Sequence, residues 1–308
     1  MANQTSDVTV VGHFSIDTIN LPSRSKPFVV MGGAVAYVSL VAKRLDAAAS
    51  VISKVGCDFP EAYMWWLREE GVDLSGVVRL ANEQTTRFEL TYTDDLSSRT
   101  LKLKSKAPAI ALSDIPSSLC AKAIHVAPIA REVSFEVVEH LKRCSEILSI
   151  DPQGMLRNFD ADGNVTCCSP ADMRLLTFIN IYKSSQDEIC TITGQLDLNS
   201  AIKAVHDVGP ETVIVTNGAK GSVVSMQGTR YNIPACHSEK VVDPTGAGDV
   251  FIGAFLTEYT RQKDSLWCAC VGSAAASLVI EGVGPTFLGE KEEIYQRARA
   301  LYEKEVNQ

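Results

Sequence analysis

The chain has 308 residues, a formal net charge of −8 and 45% hydrophobic residues, which suits one large soluble domain or two small ones. An acidic balance without a basic cluster argues against a nucleic-acid partner, but it leaves ATP open as a ligand, since backbone N–H groups hold phosphate without net positive charge. No apolar run is long and unbroken enough to span a bilayer, and the polar stretch 1–7 lacks a basic region leading into an apolar core, so neither a membrane span nor a signal peptide is expected.

The nine cysteines are an odd number and follow no metal-ligand spacing; the five histidines are dispersed. They read as buried or free thiols of a reducing compartment, and the expected location is the cytoplasm.

In chain order, 8–11 reads as a first strand ending at Gly12, 34–45 as a helix, 50–55 as a strand and 61–70 as an amphipathic helix. Residues 85–93 and 99–104 both alternate apolar and polar around the turn-rich link 94–98, the pattern of a β-hairpin with one wet face. Two buried strands, 123–127 and 146–150, flank a helix near 133–143. Residues 178–182 read as a strand and 186–193 as a helix; 198–208 is a helix leading to the strand 212–216. Segments 222–226 and 231–233 flank the hairpin turn Gln227-Gly228-Thr229, and three helices follow at 247–260, 266–280 and 291–306.

This alternation predicts an α/β fold, a mostly parallel central sheet covered by helices on both faces. Ligands of such sheets gather at the carboxyl ends of the strands. No linker divides the chain, so a single domain over 1–308 is expected. The hairpin at 85–104 is either an edge of the main sheet or a lid over the site.

Several motifs fall at strand ends. Asp243-Pro244-Thr245-Gly246-Ala247-Gly248-Asp249 runs directly into an apolar helical pattern. A Gly-rich turn opening a helix offers unpaired N–H groups at the positive end of the helix dipole, an anion site. Asp249 then either accepts a proton beside that anion or merely complements the dipole. Asp17 follows the first strand, where it could grip hydroxyls or cap a local turn. Gly32 and Gly33 open the next helix and let a ligand approach the backbone. Asp151 and Arg157 could bracket polar groups or a phosphate, or simply frame a Pro-Gly turn. Thr216-Asn217-Gly218-Ala219-Lys220-Gly221 is a glycine turn after a strand, and Glu188 is an acid in a helix's first turn.

Taken together, these motifs resemble the ribokinase-like (PfkB) carbohydrate kinase family over nearly the whole chain. The resemblance implies a three-layer α/β/α sandwich with a small β lid, formed by about 14–32 and 83–107. It implies that Gly246, Ala247 and Gly248 form the anion hole for the moving phosphate and that Asp249 is the base. Asp17, Gly32 and Gly33, with Asp151 and Arg157, would hold the acceptor. Thr216, Gly218 and Gly221 would contact ATP, with Lys183 and Ser273 nearby. Glu188 would reach Mg²⁺ through water, and a monovalent cation is a further candidate cofactor. Arg87 on the hairpin either touches substrate or is an exposed strand residue. The lid's strand edges suggest a homodimer.

The chain departs from the family pattern at three places. Ser185 stands where the N-x-x-E motif has Asn, Tyr37 where many sugar kinases have Asn, and Pro128-Ile129 where ribokinase proper has an acid. The last two argue against ribose. The expected activity is ATP-dependent phosphorylation of a hydroxyl on a small sugar, a myo-inositol-like cyclitol or a nucleoside. The rival is a non-catalytic sugar- or nucleotide-binding protein of the same fold. A Rossmann dehydrogenase is disfavoured because no G-x-G-x-x-G follows the first strand.

Overall fold

The computed structural model describes residues 5–168, 173–226 and 228–306. Gln227 of the expected hairpin turn and residues 1–4 of the polar start lie outside the described residues. The first half of the chain carries β1 (Ser6–Val11), β2 (Ser15–Asn20), β3 (Phe28–Gly32), α1 (Ala34–Arg44), β4 (Ala49–Gly56), α2 (Glu61–Glu69), β5 (Asp73–Leu80), β6 (Thr86–Tyr92), β7 (Arg99–Ser105), β8 (Ala121–Val126), α3 (Phe135–Lys142) and β9 (Ser145–Ile150). The second half carries β10 (Arg157–Phe159), β11 (Val165–Cys167), β12 (Ile181–Ser185), α4 (Gln186–Thr193), α5 (Leu198–Val208), β13 (Thr212–Thr216), β14 (Ser222–Met226), β15 (Thr229–Ile233), α6 (Ala247–Tyr259), α7 (Ser265–Val279) and α8 (Lys291–Val306).

Nine strands form the central sheet in the order β15-β14-β13-β12-β9-β8-β1-β4-β5. The strands from β13 to β5 run parallel, and β14 and β15 add an antiparallel edge. Alternate residues of each central strand serve opposite cores. Val8 and Val10 of β1 pack with α1, α6 and α7, whereas Val11 packs with α3, α4 and α5. Ile214 and its neighbours Val213 and Val215 divide the same way. Burial on both faces is what makes these strands read as continuous apolar runs.

β2, β3, β6 and β7 form a separate four-stranded sheet in the order β3-β2-β6-β7. The segment 85–104 is therefore not an edge of the main sheet. β10 and β11 make a short hairpin that reaches β7 through a bridge between Asn164 and Lys102.

The structure departs from the expected elements in two places. The strand expected at 178–182 starts later, at Ile181, because Met173–Phe178 forms a 3₁₀ turn. β5 and the β10–β11 pair had no counterpart in the sequence reading. All nine cysteines are free, as expected; Cys268 and Cys270 are buried, and Cys57, Cys120 and Cys167 are exposed.

Candidate active site

The turn before α6 is fixed by Asp243, whose Oδ1 accepts from Thr245 N at 3.0 Å and Thr245 Oγ1 at 2.6 Å. Gly246 follows at φ 80°, a left-handed conformation that glycine adopts without strain. A Cβ there would also run into the Tyr37 ring, and one on Gly248 would lie 2.6 Å from Lys183 Nζ. The first bond of the helix joins Val250 N to Gly246 O at 2.8 Å. The amides of Gly248 and Asp249 precede it and face outward at the positive end of the helix dipole.

Asp249 is half-buried in this first turn. Its Oδ1 accepts from Gln153 Nε2 at 3.3 Å, and Gln153 Oε1 accepts from Arg157 Nη2 at 2.8 Å. Burial pushes the Asp249 carboxyl up to about 6, against the pull of Lys183 and Arg157. Lys183, at the carboxyl end of β12, is buried and donates to Asp151 Oδ2 at 2.5 Å. Burial disfavours its charge, yet Asp151, Asp249 and Glu188 outweigh that and hold the ammonium above its ordinary range. Asp249, Asp151, Arg157 and Lys183 thus form one cluster beside the glycine turn.

Asp17 lies on β2 and is 6% exposed. Its Oδ1, the Ser15 hydroxyl and the Tyr37 hydroxyl are buried without a hydrogen-bond partner. Unpaired buried polar atoms are costly, so three of them at one pocket mark a place for a hydroxylated ligand. Gly32 is required beside them, because a Cβ would strike the Asp17 carboxylate; Gly33, at φ 86°, backs onto His13 O.

Burial raises the Asp17 carboxyl to about 6, so the folded state binds a proton that the unfolded chain releases near pH 4. The stability this proton provides is full below that pH and is lost as pH rises through about 6. Asp17→Asn is therefore expected to raise unfolding stability at pH 7.5 by roughly 1–3 kcal/mol, with the gain vanishing near pH 4. Urea melts of the two proteins at both pH values check this.

The small sheet meets the α6 turn directly. Tyr92 OH and Thr245 Oγ1 share a hydrogen bond of 2.8 Å, and Arg99 Nη1 donates to Tyr92 OH at 2.9 Å. Tyr92, Arg99, Gln153 and Asp243 were not singled out from sequence as site residues. The hairpin's alternation could have pointed to the inward Tyr92, and Asp243 opens the glycine-turn motif that ends in Asp249. Arg87 does not face this pocket: it binds Asp58 through Nε at 3.0 Å and Nη2 at 2.7 Å. Ile129, one of the departures from the ribokinase pattern, lines the pocket with Tyr37.

A second group lies at the ends of β12 and β13. Thr216 ends β13, and Gly218 and Gly221 follow at φ 52° and 88°. A Cβ on Gly218 would meet nothing within 4 Å, whereas one on Gly221 would strike Ile233 O. Ser185 caps α4, its hydroxyl accepting from Glu188 N at 3.3 Å while Glu188 Oε2 accepts from Ser185 N at 2.8 Å. Glu188 therefore closes a capping box. The Ser273 hydroxyl is spent on backbone: it accepts from Cys236 N at 3.0 Å and donates to Pro234 O at 3.1 Å.

A nine-stranded α/β sandwich with a small second sheet, and a glycine turn and carboxylate at one helix start, define a class. Residues 5–292 match the pfkB family of carbohydrate kinases, and the chain belongs to that family. It is a kinase with a ribokinase-like fold. It is 29% identical to a cytidine kinase of Thermococcus kodakarensis over 283 residues, covering 90% of this chain and 97% of that protein. It is 27% identical to an inositol 3-kinase of Arabidopsis thaliana over 286 residues, covering 90% and 74%. A solved pyrophosphate-dependent kinase of the ribokinase family superposes with a TM-score of 0.78 at 25% identity, covering 94% of this chain and 99% of that one. Among the described residues no helix is long and apolar enough to cross a membrane.

Proposed function

We propose that the chain transfers the γ-phosphoryl group of ATP to a hydroxyl of a small sugar, a myo-inositol-like cyclitol or a nucleoside. The observation that carries this reading is the Asp249 carboxylate, set in the first turn of α6 beside the Gly246–Gly248 amides and open to the pocket of Asp17. Asp249 takes the acceptor proton as the acceptor oxygen bonds to phosphorus and the bond from phosphorus to the donor's bridging oxygen breaks. The amides of Gly246, Ala247 and Gly248 oppose the charge on the phosphoryl oxygens without reorganising. Asp17, Gly32 and Gly33 hold acceptor hydroxyls, with Asp151 and Arg157 at the other wall.

The chain's residues suit Mg-ATP at the ends of β12 and β13. The turn at Gly218 is open where a Cβ would project, and Thr216, Gly218 and Gly221 would hold the nucleotide, with Lys183 toward its phosphates. Ser273 would act only through the Pro234–Cys236 backbone it fixes. Among the described residues no group of three or more metal-ligating side chains occurs. That suits an ion that keeps its waters and is held chiefly by donor phosphates, with Glu188 reaching it through water. When bound, Mg²⁺ offsets phosphate charge.

The four-stranded sheet serves as a lid, and its closure through Tyr92 and Thr245 keeps water from the donor. The chain acts as one kinase domain. β3 is an open edge of that sheet with Val29 60% exposed, which suits a homodimer through the lid.

The test is an ADP-release screen of purified protein with Mg-ATP against ribose, fructose, myo-inositol, cytidine, adenosine and inosine, repeated with pyrophosphate as donor and orthophosphate release as the readout. A hit supports the reading. Nucleotide binding with no turnover on any acceptor, neutral or acidic, would favour a binding protein of the same fold.

A further inference from the structure

The proposed acceptor pocket holds two guanidinium groups that make no direct ion pair with a carboxylate among the described residues. Arg157 is half-buried, and its bonds go to neutral acceptors: Ile129 O at 2.7 Å and Gln153 Oε1 at 2.8 Å. Arg99 stands at the pocket mouth, and its bonds also go to neutral acceptors, Tyr92 OH at 2.9 Å and Thr245 Oγ1 at 3.5 Å. Among the described residues neither arginine has a carboxylate within 4.0 Å, although twelve other Lys and Arg side chains do lie that close to an acid, from Arg44 to Arg297. Each guanidinium keeps N–H donors free, since five are available and at most two are engaged here.

The two cations also work against each other. Burial and the nearby Arg99 both lower the affinity of Arg157 for its proton. Their guanidinium groups lie over aromatic rings of the small sheet, Arg157 over Phe88 at 5.6 Å and Arg99 over Tyr92 at 5.7 Å. Asp17 and Asp243 act on Arg99, and Glu188, Asp151 and Asp249 on Arg157, only at longer range, so the free donors of both forks stay open to an anion that can bond them directly. At the opposite wall the unpartnered atoms are of another kind. Asp17 Oδ1 accepts, and the Ser15 and Tyr37 hydroxyls both donate and accept, so that wall takes hydroxyl groups.

We infer that the acceptor is a polyol that carries an anionic group: hydroxyls at the Asp17 wall, and a carboxylate or phosphate ester between Arg99 and Arg157. This rests on the kinase reading above and narrows its acceptor to acidic sugars rather than neutral sugars, cyclitols or nucleosides. Asp249 lines the same pocket and is linked to Arg157 through Gln153. A planar fork meets a carboxylate or phosphate with two parallel bonds.

The test pairs each anionic probe with its neutral counterpart: gluconate and 2-keto-3-deoxygluconate against glucose, and ribose 5-phosphate against ribose. Thermal shift of the full chain reads binding, and ADP release reads turnover. The acidic member of at least one pair is expected to bind and to turn over on the order of 10–100-fold better than its neutral partner, the scale of one or two charge-assisted bonds. Preference for the sugar acids assigns the anion as carboxylate; preference for ribose 5-phosphate assigns it as phosphate. In Arg99→Met and Arg157→Met the ratio of acidic to neutral turnover is expected to collapse toward one.

Three outcomes overturn the inference. Neutral acceptors turning over as well as acidic ones would do so, with the kinase reading intact. An equal loss on both classes in the arginine variants would move the guanidiniums to the phosphoryl group. Binding of neutral but not acidic probes, even without turnover, would also sink it. Binding of an acidic probe without ADP release would count against the kinase reading and leave the anion site standing.

Discussion

Replacing Asp249 by Asn is expected to lower kcat by roughly 10²–10⁴-fold, the usual contribution of a positioned general base. Nucleotide affinity should stay within about threefold, because an isosteric amide leaves the glycine turn and the β13 loop unchanged. The pH profile offers a second readout. Burial holds the Asp249 carboxyl at about 6 in the free protein, and only the ionised form can take a proton. Activity should therefore be flat above that pH and fall about tenfold per unit below it. In Asp249→Asn this acid limb should disappear from whatever activity is left. An unchanged kcat, or an acid limb that survives the substitution, would remove Asp249 from its role.

The second large effect is expected from Lys183→Met. Lys183 Nζ and Asp151 Oδ2 are 2.5 Å apart, with side chains 6% and 1% exposed. Removing the ammonium strands a buried carboxylate, and such losses cost about 3–5 kcal/mol. Urea denaturation at pH 7.5 reads this directly. Lys183 also pulls the Asp249 carboxyl down, so the acid limb of activity should move toward higher pH in the variant. Adding Asp151→Asn removes the stranded charge and should restore much of the stability; because the Asp151 carboxylate raises that of Asp249, it should also bring the limb back toward lower pH. If the double variant were as unstable as the single one, the pair would not be the cause. A stability loss below about 1 kcal/mol would place the pair among exposed bridges.

These predictions depend on how far the chain's pattern exposed its structure. Helices 186–193 and 198–208 and strands 212–216 and 222–226 appear at the expected bounds, because each joins clean periodicity to a cap or a turn: Ser185 before α4, Asp197 before α5, Gly194 and Gly209 after them. β5 was hidden because its outward residues are polar and Gly76 breaks its alternation, where a Cβ would press on Val51 O. β12 was placed early because its end, Lys183-Ser184-Ser185, looks like a loop. Those polar residues are buried or half-buried because Asp151, from the neighbouring strand exit, accepts from the lysine. No local pattern records such a partner 32 residues away.

The candidate site divides in the same way. The glycines of the α6 turn and Asp249 stand together in one run and were legible as a unit. The walls come from distant segments: Tyr92 reaches Thr245 across 153 residues, and Gln153 reaches Asp249 across 96. Sequence spacing could not pair them. The local reading of Glu188 as a first-turn acid fits its helix cap, whereas spacing gives Ser273 no local duty, yet its hydroxyl ties down the chain after β15.

Tyr37 and Gly246 share one volume, since the tyrosine ring lies where a side chain on residue 246 would have to be. The pocket floor is therefore a plug and socket: the ring sets how deep an acceptor can sit against the phosphate turn. Trimming Tyr37 to Asn would open a ring-sized hollow there and leave the backbone of the turn in place. Acceptor size in this kinase is thus adjustable from α1, the helix that follows directly on β3 of the small sheet, by one side chain. A bulkier acceptor could be admitted by design without redrawing either sheet.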